Sequence, residues 1–162
     1  AGFMLIALAS LSSIGLRSLF FYLMVYVFMN VGAFGCAIYV NRQEIDEFSG
    51  LSRKQPLTAF IMAVALLSLA GLPPLAGFMA KFIVLAAAVD AKLYLLAVAA
   101  VLNSVVALFY YLRIIKVMYF NEPKEDFPKT FSPVLLSALL LTVFVNIILG
   151  IFPQFILQWL PM

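Results

Sequence analysis

Apolar residues fall along this chain in long runs separated by short polar stretches, without the alternation over about ten residues that a barrel strand requires. The first run, 1–14, is too short to cross a bilayer alone; Ser12, Ser13 and Gly15 end it, and Arg17 marks an interface. A clean span follows over 18–40, carrying Tyr22, Tyr26, Asn30 and Cys36. The most polar stretch, 41–56, reads as a water-exposed loop with a short amphipathic helix around Glu44–Phe48. The apolar signal resumes over 57–72, is interrupted by Pro73-Pro74, and continues over 75–89. Each half, at roughly 15 residues, reaches only about 22–24 Å as helix, short of the ~30 Å of a hydrocarbon core. Together they suit one discontinuous span. After a turn at 90–92 comes a long helix over 93–120, a polar loop over 121–132, and a last span over 133–160. That span holds Asn146 and Gly150, Pro153 bends or ends it, and Trp159 sits at the far interface.

The pattern predicts an all-α integral membrane protein: a polytopic helix bundle, one transmembrane domain over 1–162, with about five spans including the broken one and a partial first. Only helices or closed barrels satisfy backbone polar groups in lipid. The distribution of Lys and Arg tests the broken span, because cytoplasmic loops carry the excess. If 57–89 crosses once, one side holds Arg42, Arg53, Lys54, Arg113, Lys116, Lys124 and Lys129, seven in all, against Arg17 and Lys92. Two full crossings would divide the same charges four to five. The seven-to-two split favours one crossing, with the 41–56 and 119–132 loops cytoplasmic and the C-terminus on the outer face.

Composition sharpens this picture by exclusion. Of 162 residues, 66% are apolar and 10% charged, with a mean hydropathy of +1.15, which excludes both a soluble enzyme and a disordered chain. There is no His and a single Cys, so imidazole ligation, an internal disulfide and a zinc or iron–sulfur cage are out of reach. A formal charge of +3 spread over loops is no nucleic-acid footprint. The chain opens on Ala1 directly into an apolar run, with no basic segment before it; it reads as starting inside a helix of something longer.

Sixteen of the seventeen charged residues fall in loops or near interfaces. The exception is Lys81, two turns past the double proline with apolar neighbours on both sides. A lysine at mid-membrane costs about 2.5–3.5 kcal/mol on insertion scales. Snorkelling to the headgroups is one explanation, but the next polar turn is nine residues away, about 13 Å along a helix. The other explanation is a hydrated interior beside unwound backbone, where a desolvated ammonium can exchange its proton as a neighbouring charge or water wire changes. Pro73 and Pro74 supply the break. Gly71 and Gly77 let the backbone bend and pack closely, which makes these four residues a candidate hinge. Asn30, Ser68, Asn103, Ser104 and Tyr110 are candidates for a water path to Lys81, with Tyr22, Tyr26 and Tyr111 on the same spans; equally, each could be a helix-to-helix hydrogen bond.

The stretch LLSLAGLPPLAGFMAKF over 66–82 resembles the signature of the antiporter-like membrane subunits of respiratory complex I, most like their subunit-N branch. AGFMLIAL at 1–8, NVGAFG at 30–35 and YYLRIIKVMY at 110–119 agree in order and spacing. The resemblance implies the second of two inverted five-helix repeats plus the last helix, with Lys81 on the discontinuous helix at the position where the family carries a proton-path lysine. It implies a proton-translocating subunit of NADH:quinone oxidoreductase in the bacterial inner membrane, partnered by the other membrane subunits, the lipid bilayer, and protons and water. NADH, FMN, iron–sulfur clusters and quinone would then reside in other subunits, with no cofactor or metal in this chain. Alternatives are a subunit of a multi-subunit Na⁺/H⁺ antiporter of the Mrp type, a structural membrane subunit without an ion path, and, last, part of a solute transporter.

Overall fold

A computed structural model describes residues 2–124, 127 and 133–160. Glu125, Asp126 and Lys129 of the second polar loop lie outside the described residues, as does Ala1. All regular structure among the described residues is helical: α1 (Gly2–Ala9), α2 (Ser13–Val40), α3 (Leu51–Lys54), α4 (Pro56–Ala70), α5 (Ala76–Asp90), α6 (Tyr94–Phe120), α7 (Pro133–Ile151) and α8 (Gln154–Leu157). Helices α2, α6 and α7 are each long and apolar enough to cross a membrane.

The junction of the first two apolar runs differs from the sequence expectation: α1 stops at Ala9 rather than 14. The second helix begins at Ser13 rather than 18, because the Ser12 side chain accepts a hydrogen bond from the Gly15 N–H and caps it, and Arg17 lies near its start. In the last apolar stretch α7 stops at Ile151 and Pro153 caps the short α8, an interruption of the kind expected of this proline. Around Glu44–Phe48 the chain forms a 3-10 turn, Ile45–Phe48. The Glu47 carboxylate accepts the backbone N–H groups of Gln43 and Glu44 there, and these two bonds hold its carboxyl below the usual range.

Helix α2 is the central post, packed against α1, α4, α5 and α7. Helix α6 runs along both α4 and α5, so the two short helices stand end to end beside one long one. Its outer side is broadly exposed, with Leu95, Leu102 and Phe109 presented outward. The polar loops meet at one end: the Gly50 N–H donates to Val117 O at 3.3 Å, and Arg53 approaches Glu122 at 3.8 Å. Two apolar clusters divide at the break. One gathers around α4 with Cys36, Val40, Leu51, Leu66 and Met118; the other gathers around α5 with Phe3, Phe21, Val25, Ala80 and Val84.

Candidate functional site

Helix α4 ends at Gly71 in the left-handed region, φ 87°. The Gly71 N–H donates to Ser68 O at 2.9 Å and the Leu72 N–H to Leu67 O at 3.1 Å, which is the paired closure of a Schellman end. That serves two of the four carbonyls a helix C-terminus leaves open. Lys81 serves the other two. Its ammonium, reaching back from α5, donates to Leu69 O at 2.8 Å and Ala70 O at 2.9 Å. The carbonyls left open where the helix breaks are thus met by a protein donor, the buried lysine.

The magnitudes explain why a lysine is tolerated at this place. Hydrogen bonds to a charged group contribute about 1.5–3 kcal/mol each, so two of them match the insertion cost of roughly 2.5–3.5 kcal/mol. The negative end of the α4 dipole adds to the same balance. The Nζ also lies 5.4 Å from the centroid of the Phe3 ring, over its face.

Ser68 joins three helices at the break. Its hydroxyl donates to Asn146 Oδ1 of α7 at 2.7 Å and accepts the Gly77 N–H of α5 at 3.0 Å. Asn146 Nδ2 in turn donates to Thr142 O at 2.8 Å. Gly77 and Gly150 are needed for close approach: a Cβ on Gly77 would collide with the Ser68 carbonyl, and one on Gly150 with the carbonyl of Pro74. Pro73 and Pro74 themselves are exposed at the turn, joined by a cis peptide bond.

A cavity of about 570 Å³ opens beside Lys81, bordered by Tyr22, Tyr26, Asn103, Ser104 and Tyr111. Ser104 and Lys81 also border a smaller space of about 240 Å³ on the flank toward Gly71. The Ser104 hydroxyl is buried with no hydrogen-bond partner among the described residues. A further cavity, about 560 Å³, reaches from the loop end of α2 at Asn41, Arg42 and Gln43 inward to Asn30, Leu69 and Tyr111.

Of the path candidates, Asn103 and Ser104 therefore come together with Lys81. Asn30 does not: it lies in the loop-side cavity, and its Nδ2 donates to Tyr26 O of its own helix at 2.7 Å. Ser68 is fully buried in the α4–α5–α7 junction, and Tyr110 is 60% exposed on the outer side of α6. Sequence reasoning assigned no role to Asn146 or Phe3. An Asn inside an apolar span is a signal in itself, whereas nothing marks Phe3 among 16 phenylalanines. No three His, Cys, Asp or Glu side chains gather among the described residues.

A family profile described as NADH:quinone oxidoreductase/Mrp antiporter, TM, matches residues 1–107, a stretch that includes both half-helices and Lys81. The chain belongs to this family. It is 48% identical over 133 residues to NADH-quinone oxidoreductase subunit N of Paramagnetospirillum magneticum, covering 79% of this chain and 27% of that protein. A chain in the structure of respiratory complex I from Thermus thermophilus with bound aureothin superposes with a TM-score of 0.86 at 32% identity, over 96% of this chain and 36% of that one. A chain of the Mrp complex from Dietzia sp. DQ12-45-1b shares the fold, with a TM-score of 0.84 at 23% identity over 96% of this chain and 38% of that one. The chain thus spans between about a quarter and two fifths of the length of these proteins. Its fold is the antiporter-like membrane fold, and it is an integral membrane protein.

Proposed function

We propose that this chain is the proton-translocating part of a membrane subunit of NADH:quinone oxidoreductase, in which Lys81 relays protons while electron transfer proceeds in other subunits. The observation that carries this reading is the placement of one buried ammonium on the open carbonyls of a broken helix, beside a largely apolar cavity into which Asn103, Ser104 and three tyrosines bring polar groups. The protonated lysine is held there by two hydrogen bonds and the helix dipole. Once the proton leaves, the neutral amine loses much of that attraction, and the side chain is free to turn toward cavity water. Asn103 and Ser104 offer hydroxyl and amide groups to such water. The NADH, flavin, iron–sulfur and quinone chemistry would lie in other subunits, and the loops at 41–56 and 119–132 would face the cytoplasm of a bacterial cell, with the C-terminus outside.

The test is Lys81→Ala in the assembled complex, measured as protons moved per NADH oxidised in inverted membrane vesicles. A fall of about tenfold or more is expected while quinone reduction continues; unchanged stoichiometry returns the chain to a structural role. Lys81→Arg refines the result, since Arg does not release its proton in proteins: it keeps the charge and should still fail to pump. The Mrp-type reading rests on the shared fold. Sodium-dependent proton exchange by a complex without NADH oxidation would select it.

A further inference from the structure

The two larger cavities border the same two residues, Leu69 and Tyr111, and share no others. On one side lie Asn41, Arg42 and Gln43 at the polar end of the bundle; on the other lies Lys81. Leu69 contributes an apolar side chain to this partition, and its carbonyl is already taken by the lysine. Among the described residues that border both chambers, Tyr111 is thus the one whose side chain carries a proton-bearing group. It sits nine residues from the loop end of α6, half-buried, one position along from the outward-facing Tyr110.

We propose that Tyr111 is the relay residue through which Lys81 exchanges protons with the loop side. This rests on the reading of Lys81 as a proton carrier. The chemistry balances without ionising the phenol. A hydronium in the loop-side chamber gives a proton to the Tyr111 oxygen as the hydroxyl passes its own proton, through cavity water, to the neutral Lys81 amine. The products are water, an intact phenol and a lysine ammonium. The phenol must then rotate back before the next transfer, which gives the step a direction-sensitive reset that an unbroken water column lacks.

The experiment is Tyr111→Phe in the full-length subunit within the assembled complex, with pumping stoichiometry normalised to assembled complex and compared with Lys81→Ala and Tyr111→His. Phe keeps the ring and removes the hydroxyl, so at least a fivefold fall in protons per NADH is expected. His restores a group that can both accept and donate, and should recover at least half of the wild-type stoichiometry. Wild-type pumping by Tyr111→Phe overturns the proposal, and so does an equal loss in the Phe and His variants, which would mark a packing role. If Tyr111→Phe assembles poorly, Leu69→Phe provides an independent check: narrowing the apolar side of the partition beside an intact Tyr111 should leave pumping at the wild-type level, and a marked loss, the sign of passage by a water column, counts against the proposal. Wild-type pumping by Lys81→Ala instead removes the underlying reading, whatever Tyr111 does.

Discussion

Helices α2 and α4 end in the same way and in opposite surroundings. At Asn41, φ 53°, the Asn41 N–H reaches Ile38 O and the Arg42 N–H reaches Ala37 O; at Gly71 the matching pair reaches Ser68 O and Leu67 O. The first end opens into a polar loop, where water can serve the remaining carbonyls. The second lies within the bundle, and there the chain supplies the missing donors from its own sequence as the Lys81 ammonium. The buried lysine therefore first answers a backbone requirement. In the proposed relay, its proton exchange would follow from how many bonds that requirement leaves it, and in what protonation state.

Substitutions at the two ends should separate these environments. The largest effect is expected at Gly71→Ala. A Cβ there enforces a strained left-handed residue and would sit 2.9 Å from Lys81 Cδ, displacing the lysine stem. A loss of roughly 1–3 kcal/mol is expected, read as a lower thermal midpoint of the assembled protein together with reduced pumping. A fall in stability without any change in pumping would uncouple the cap from the relay. At Asn41→Ala the same backbone penalty applies without a neighbouring ammonium, so a loss of about 1 kcal/mol with normal pumping is expected. Asn41→Gly should be close to neutral.

The smallest effect belongs to the loop beyond α2. The Glu47 carboxyl, held low by the Gln43 and Glu44 N–H groups, strengthens this turn at neutral pH. Because its folded value is depressed, that contribution is present above the ordinary glutamate value of about 4.3 and is lost as pH falls through the lower folded value. Amide exchange across 43–47, corrected for intrinsic rates, should accelerate at acid pH in the wild type and show no such step in Glu47→Gln. Pumping at neutral pH should not respond, which makes the loop a control for the break.

The broken helix and its lysine were legible because both depend on local sequence. Two prolines within an apolar stretch force the interruption, and one charge far from any polar turn demands a partner. What the lysine bonds was not legible, since nothing in spacing says that Lys81 turns back to α4 rather than toward α6. The Ser68–Asn146 bond joins residues 78 positions apart, beyond the reach of any local pattern. Asn30 and Asn146 both turn the amide nitrogen back to a carbonyl of their own helix, yet the Asn146 oxygen also accepts from Ser68 and ties α7 to the break. On α6 the difference between Tyr110 and Tyr111 is about 100° of helix rotation, and only packing against α4 and α5 decides which of them faces inward.

The close seating of Gly77 on the Ser68 carbonyl and of Gly150 on the Pro74 carbonyl has a mechanical meaning. A backbone pinned on two sides leaves little freedom for the half-helices to pivot, so the moving part of a proton cycle would be the four-carbon stem of Lys81. Such a cycle displaces charge without altering the cross-section that the bundle presents to the bilayer. It would do little lateral work against lipid, and its rate should respond weakly to acyl-chain length and to lateral pressure.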